Sequence, residues 1–548
     1  MEKRNKLERL KHELSPARFR DRLAHVDWAS PDEADRFYLK NYGIYNLKIR
    51  PEHWMIRLRF DGGILATDSA LFLADLARKE SAQILLSARA QIELHGLDPH
   101  RVWDIWNTLN AQGLTSLQTL TDNARAIVID PLDTLPSFRR IACEPLIHAM
   151  QERFVGRDSW IGTLPRKFNT ALIGTEHPTF NPWGNDLLFA LAHRDGLWGF
   201  NLYLGGKNGH VAHEADLFCL PEHVPDLFEA VLTTYREHGL RGSRSSIRLH
   251  HLITAVGIEQ VRRWIVEHLA FKVTSAGTLK MRHATMAHLP TTIDRYGRYG
   301  EIKAETLMQA AQAARQQQAH LRLTPHQELW CIPAQSPTQH RNHASSHHPL
   351  PRLTGCAGAR YCPLALWDIK ADMPDLPLDA LASAEISVGL SGCLKGCGRH
   401  YYSDIGLIGL RTNLYGPTEQ AARIFIGALE APEPAPARLL YYSVPRRHLH
   451  DLIQIMIEDF ARSKHPSFAD FSRTVWRPLS IETLQLWYLW RMQGYSDAKA
   501  FGYFLSADEA ALRAHIAHDE RYPDVETIDE AIRTLTHTAW DQTSQEEP

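Results

Sequence analysis

Four of the seven cysteines fall close together, as Cys356-x5-Cys362 and Cys393-x3-Cys397, and no other feature constrains the chain as tightly. Four thiolates so near in sequence suit either a structural zinc ion or an iron–sulfur cluster, since both take soft, negatively charged ligands. Structural zinc sites usually separate paired cysteines by about two to four residues. The Cys356–Cys362 spacing lies outside that range. Gly355, Ala357, Gly358, Gly396 and Gly398 flank the cysteines. Such small residues let backbone approach a bulky cluster and aim N–H groups at its sulfurs. The pattern favours a cluster, with zinc and unrelated core cysteines as the alternatives. Cys143, Cys219 and Cys331 are scattered, and seven cysteines in 548 residues do not suggest a disulfide framework.

Apolar residues at 44% and charged residues at 23% exclude a disordered or collagen-like chain. The length suggests three or four domains. No apolar run approaches the roughly 20 residues of a membrane span. The segment from Met1 to Lys11 is too charged for a secretory signal, so the expected location is the cytoplasm. Lys and Arg number 61 against 63 Asp and Glu, which gives no basis for nucleic-acid binding. The charge is unevenly spread, however. Residues 481–548 hold 5 basic and 13 acidic residues, a net of −8, and leave a body of net +6. The tail reads as helical, broken at Tyr522-Pro523.

Along the body, a charged helical lead runs to about Asn41. A strand is expected over 54–60, a turn at Gly62-Gly63, a helix over 69–79 capped by Thr67-Asp68, and an alternating strand over 84–94. A similar unit returns as a helix over 303–318 and a strand over 321–324. Ser87-Ala88-Arg89 then lines up with Thr324-Pro325-His326, which points to an internal duplication. Mixed α/β stretches occupy 127–300 and 351–478. The segment 336–351, with His340, His343, His347 and His348, reads as a polar surface loop, metal binding being the alternative.

Thr354-Gly355-Cys356-Ala357-Gly358-Ala359-Arg360-Tyr361-Cys362-Pro363-Leu364-Ala365 and Ser391-Gly392-Cys393-Leu394-Lys395-Gly396-Cys397-Gly398-Arg399 resemble the sirohaem/[4Fe–4S] nitrite and sulfite reductases. The family usually has Pro-Asn where this chain has Leu394-Lys395. Ser87-Ala88-Arg89-Ala90-Gln91-Ile92-Glu93-Leu94-His95 resembles the family motif Thr-Thr-Arg-Gln-Asn-Ile-Gln-Leu-His, with the polar partner lost at Ala90. Asp122-Asn123-Ala124-Arg125 matches an Asp-Asn-x-Arg segment. Leu164-Pro165-Arg166-Lys167-Phe168-Asn169 is the closest match of these. Gly199-Phe200-Asn201, ending in Gly205-Gly206, and the basic stretch Arg241, Arg244, Arg248 extend the likeness. It covers roughly residues 5 to 475.

This resemblance implies an α+β fold: a pseudo-two-fold duplication of ferredoxin-like half-domains at 1–126 and 301–350. It adds two α/β cofactor-binding domains at 127–300 and 351–478, followed by an acidic helical extension at 479–548. The implied cofactors are sirohaem and one [4Fe–4S] cluster held by Cys356, Cys362, Cys393 and Cys397, with Cys397 also ligating the haem iron. Arg89, Arg125 and Lys167 would bind the anion and supply protons. Asn123, Arg166, Arg241, Arg244, Arg248, Gln327 and Arg399 would serve the macrocycle. Substrates that are oxyanions, and a polycarboxylate macrocycle, call for such fixed cations and proton donors.

Asn169 bears on the substrate. The family's sulfite reductases carry a second lysine there, and its assimilatory nitrite reductases tend to carry asparagine. Sulfite is largely a dianion near neutral pH and nitrite a monoanion, so one more ammonium favours sulfite by roughly 4 kcal/mol at 4 Å in an effective dielectric of 20. The expected activity is reduction of nitrite to ammonium. Sulfite reduction is the alternative, and a non-catalytic iron–sulfur or zinc protein a further one. No Gly-x-Gly-x-x-Gly fingerprint follows a strand. Electrons are therefore expected from a separate ferredoxin or flavoprotein, with no nucleic acid or membrane as partner.

Overall fold

The computed structural model describes residues 4–492, apart from 48–49, 286–288, 291, 298, 335–351 and 414–415. The His-rich segment and residues 493–548 of the acidic tail thus lie outside the described residues. The chain divides into two compact units, Met1–His340 and Arg341–Pro548.

The first unit contains a reciprocal exchange of strands. One antiparallel sheet runs in the order Ile44–Leu47, Arg50–Arg57, Ile92–Leu97, Gln83–Leu86, Glu301–Ile302. A second runs Asp294–Tyr296, Leu329–Pro333, Ala319–Leu323, Ile64–Leu65. The short strand just before each copy's helix, Ile64–Leu65 or Glu301–Ile302, pairs in the sheet of the other copy. The helices that follow, Thr67–Lys79 and Ala304–Gln317, pack on one another. Ala70, Ala74 and Ala77 on one and Ala310, Ala311 and Ala314 on the other are all buried, and these small side chains recur at helical spacing on the buried face.

The expected strand over 84–94 is two strands, Gln83–Leu86 and Ile92–Leu97, joined by a tight turn. The reason is local: Ala90 takes a left-handed φ of 53°, its N–H donates to the Ser87 carbonyl, and the Ser87 N–H reaches the Gln91 carbonyl at 2.9 Å. The second copy repeats this turn. Gln327 has φ 63°, its N–H donates to the Thr324 carbonyl, and the Thr324 N–H reaches the Glu328 carbonyl at 2.9 Å. Arg89 and His326 thus occupy equivalent places in a duplicated turn. Helix boundaries shift slightly as well, since Thr67 is the first helical residue and Ala66 the uncapped N-cap.

The rest of this unit carries a sheet ordered Thr278–Leu279, Leu187–Arg194, Leu197–Leu204, His213–Cys219, with Thr170–Ile173 parallel to Leu187–Arg194. Among the described residues the second unit has one sheet, ordered Arg352–Gly355, Ser387–Ser391, Ile405–Thr412, Glu419–Ile426, Arg438–Pro445. Its first two pairings are parallel and its last two antiparallel. The start of the acidic tail is part of this unit's packing. Helix Ile481–Met492 buries Leu484, Trp487 and Tyr488, and the Trp487 indole donates to Asp459 at 2.6 Å. No helix among the described residues is long and apolar enough to cross a membrane.

Gly63 enters the exchanged strand with φ 78°, and a Cβ there would lie 2.1 Å from the Leu323 carbonyl oxygen. Gly63→Ala should therefore destabilise the protein by at least about 2 kcal/mol in denaturant unfolding. Gly113→Ala, at φ 72° with nothing within 4 Å, should cost only about 1–2 kcal/mol.

Candidate functional site

Topology brings the cysteines together. Strands Arg352–Gly355 and Ser387–Ser391 are parallel neighbours, with Gly355 opposite Leu390, so the chain leaves both at the same end. Cys356 follows the first strand and Gly392-Cys393 the second. The Cys356 N–H donates to the Leu390 carbonyl at 2.9 Å, and the Gly392 N–H donates to Cys356 Sγ at 3.1 Å. Gly358 gives that sulfur a second N–H at 3.4 Å. Leu364 and Ala365 supply backbone donors to the Cys362 thiol.

Burial pushes the Cys356 thiol up to about 11, and the Cys397 thiol adds to the rise against the lowering effect of the Gly392 N–H. Burial raises Cys362 too, with Cys397 and Cys393 contributing. Cys397 thus acts on both Cys356 and Cys362, and Cys393 on Cys362; Cys397 is the exposed member. Among the described residues no three or more His, Cys, Asp or Glu side chains are gathered tightly enough for a single metal ion. Thiols that receive backbone N–H donors on their sulfurs, as Cys356 and Cys362 do, are the ligand chemistry of an iron–sulfur cluster.

The glycines here are sterically required. A Cβ on Gly398 would lie 1.7 Å from the Leu390 oxygen, and one on Gly392 would lie 2.5 Å from the Ala365 Cβ. Leu394 and Lys395 point outward, Leu394 being 67% exposed, while Gly396 closes the turn beneath them with φ 71° and an N–H toward the Cys393 carbonyl. The turn thus forms without the family's Pro-Asn. Behind it, Ser391 Oγ accepts from the Gly398 N–H at 3.0 Å and meets His400 Nδ1 at 2.9 Å. Burial lowers His400 to about 4, which leaves it neutral. Arg399 is lowered to about 10 by burial, with Glu430 the strongest opposing charge.

In the first unit the structure gathers cations. Arg125 is buried and donates to the carbonyls of Thr119 and Thr121, while its Nε has no hydrogen-bond partner among the described residues. Burial and then Arg57, Arg89 and Arg166 push its guanidinium well below the ordinary arginine range. Arg89 donates to Asn185 Oδ1 at 3.1 Å, so Asn185 supplies the polar partner missing at Ala90. Lys167 follows Arg166 and is half-buried. Asn169 is buried, with its N–H on Asp186 at 2.8 Å and its Oδ1 unpartnered among the described residues.

Two buried carboxylates organise these cations. Asp122 accepts from Arg244 at 2.6 and 2.8 Å, and from Lys11 at 2.9 Å, with Arg166 at 3.6 Å. Burial would raise its carboxyl, but Lys11 and Arg244 overcome that and hold it at about 2. Lys40 is lowered by burial and by Arg244. Asp186 grips Arg248 through Nε at 2.8 Å and NH2 at 2.6 Å. Arg241 pairs with Glu8 at 2.6 Å.

Two residues expected at the macrocycle make contacts inside the protein. Asn123 is fully buried; it donates to Asn41 and the Leu120 carbonyl and accepts from the Gly162 N–H at 2.7 Å. Its amide therefore shapes the 120–125 turn that carries Arg125. Gln327 donates to the Leu86 carbonyl at 3.1 Å and ties the two duplicated turns together. Sequence reasoning missed Arg57, Asp186, Asn185 and Lys11. Asp122 and Glu93 lay inside quoted motifs but had been given no role.

The family model "Nitrite/Sulfite reductase ferredoxin-like half domain" matches residues 48–112, and "Nitrite and sulphite reductase 4Fe-4S domain" matches 120–273. The second match spans Asp122 to Arg248 and ends before the cysteines. A ferredoxin–nitrite reductase of Synechococcus elongatus is 30% identical over 471 residues, covering 78% of this chain and 90% of the relative. The sulfite reductase [NADPH] hemoprotein beta-component of Acidithiobacillus ferrooxidans is 26% identical over 495 residues, covering 75% and 86%. The solved structure of Mycobacterium tuberculosis NirA shares the fold, with a TM-score of 0.72 at 20% identity over 85% of this chain and 95% of that one.

The chain belongs to the nitrite and sulfite reductase family. The family's cofactors are sirohaem and a [4Fe–4S] cluster, and the residues fit both. Four neighbouring thiols with N–H donors suit the cluster, and mutually repelling buried guanidiniums suit a polycarboxylate.

Asp122 and Glu93, both held at about 2 against ordinary values of 3.8 and 4.5, make the protein acid-sensitive. Depressed carboxylates stabilise the fold fully above their unfolded values, and that stability is lost as pH falls through the folded ones. Unfolding free energy should therefore decline from about pH 4.5 to 2. Asp122→Asn should remove about 2 kcal/mol at pH 7 and flatten that slope in pH-dependent denaturant melts.

Proposed function

We propose that the protein reduces nitrite to ammonium, taking its electrons from a separate ferredoxin. The observation that carries the choice of substrate is Asn169, a buried neutral amide whose N–H meets Asp186, at the position where a second lysine would suit a dianion. Relatives named ferredoxin–nitrite reductase support the same reading for both substrate and donor. Sulfite reduction is the second reading, favoured by the relative named as a sulfite reductase component.

Nitrogen passes from +3 to −3, so the reaction takes up six electrons and eight protons and releases two waters with each ammonium. When bound, sirohaem and the cluster supply the electrons and an iron at which the anion is reduced. Cys356, Cys362, Cys393 and Cys397 would hold the cluster, with Cys397 the exposed member of the set. Arg241, Arg244, Arg248 and Arg166 receive macrocycle carboxylates, each already steered by a protein carboxylate. Arg399 would serve the macrocycle as well, while Gln327 and Asn123 brace turns of the first unit through their internal hydrogen bonds.

Arg89 and Arg125 hold the anion. Arg125 is crowded by three other guanidiniums, so an arriving anion relieves repulsion already present. Lys167 donates protons as oxygen leaves in water. The Asn169 amide contacts the anion without adding charge.

Steady-state rates with a reduced artificial donor test the reading. The kcat/KM for nitrite should exceed that for sulfite, and the reverse order would overturn it. Arg125→Ala should lower nitrite kcat/KM by about 10²–10³ with cluster content intact. Asn169→Lys should move preference toward sulfite by roughly tenfold or more.

A further inference from the structure

A buried carboxylate outside the residues assigned above faces the same cations. Glu93 lies on strand Ile92–Leu97, directly after the turn that carries Arg89. Its Oε1 pairs with Arg57 at 2.7 Å and its Oε2 with His95 Nε2 at 2.8 Å. His95 Nδ1 in turn lies 3.4 Å from His53 Nε2. Arg57 and Arg125 both donate to the Thr119 carbonyl. Arg57 is also the strongest charge acting on Arg125. A single carbonyl oxygen thus joins the Glu93–Arg57 pair to the guanidinium that binds the anion.

The carboxylate is a feature of this chain. The family motif that residues 87–95 resemble has a neutral glutamine where Glu93 stands. Burial alone would raise Glu93, but Arg57 and His95 overcome that and hold it at about 2, so it is ionised at any working pH. It therefore subtracts one unit of positive charge from the site, as asparagine does at position 169 by replacing a lysine.

We propose that Glu93 is a specificity-determining positioning residue, whose fixed negative charge next to Arg57 biases the Arg125 site toward monoanions and against dianions. The inference rests on the proposed role of Arg125 in binding the oxyanion, but not on which anion is turned over. Physically, a fixed charge shifts the potential at the site, and a dianion responds to that shift with twice the free energy of a monoanion. Removing the charge should then tighten dianion binding by the square of the factor found for the monoanion.

The test is spectral titration of the oxidised holoprotein with nitrite and with sulfite, at one mildly alkaline pH where sulfite is the dianion. Glu93→Gln keeps a carbonyl acceptor for Arg57 and turns the group facing His95 from an acceptor into an N–H donor, which His95 meets in its Nδ1–H tautomer. It should tighten nitrite about threefold and sulfite about tenfold, and raising the salt concentration should shrink both factors. Equal factors for the two anions, or weaker binding of sulfite, would overturn the proposal. If that variant does not fold, Arg57→Gln/Glu93→Gln replaces the ion pair by two amides and restores net charge. It should return the ratio of sulfite to nitrite Kd toward that of the parent, and a ratio shifted toward sulfite contradicts the charge argument. These are binding constants, so a parent that discriminates the anions as described but fails to reduce nitrite sinks the proposed function and leaves this inference standing.

Discussion

Pairing of clustered cations with buried carboxylates governs the site in the first unit. Guanidiniums and ammoniums taken out of water repel one another and lose hydration, and such groups persist only when paired. Asp122 and Asp186 provide that pairing. Both are fully buried, and between them they grip Lys11, Arg244, Arg166 and Arg248. Their positions in turn depend on the turns and strands around them. The Asn169 N–H ends on Asp186, and Asn123 braces the turn that follows Asp122. Pairing is incomplete at Arg125, and that residual repulsion is what an anion can relieve.

The duplicated half-domains place part of this charge. Each copy lends a two-residue strand to the sheet of the other, and the tight turns after Gln83–Leu86 and Ala319–Leu323 share the same hydrogen bonds and a left-handed residue. One turn presents Arg89 and the other His326. Gln327 bonds to the Leu86 carbonyl across the pseudo-symmetric junction. A fold that is nearly symmetric therefore presents two different side chains at equivalent points.

Much of this was legible in the sequence. Cysteine spacing with adjacent glycines marked the thiol site, because tight backbone approach tolerates few residue types. Helix–strand periodicity marked the duplication. The strand exchange was not legible, since Ile64–Leu65 and Glu301–Ile302 are two residues long and carry no periodic signal. Nor was Asp186, a single carboxylate whose role exists only once Arg248, 62 positions away, folds against it. Arg57 was hidden for a related reason: it sits in an ordinary strand, and its importance comes from sharing the Thr119 carbonyl with Arg125.

Reduction of nitrite all the way to ammonium is the reaction assigned to this chain. An anaerobic titration of the holoprotein with a one-electron donor in excess tests it most directly, by counting donor oxidised and ammonium formed per nitrite consumed. The account predicts six equivalents and one ammonium for each nitrite. One or two equivalents per nitrite, with no ammonium, would contradict it.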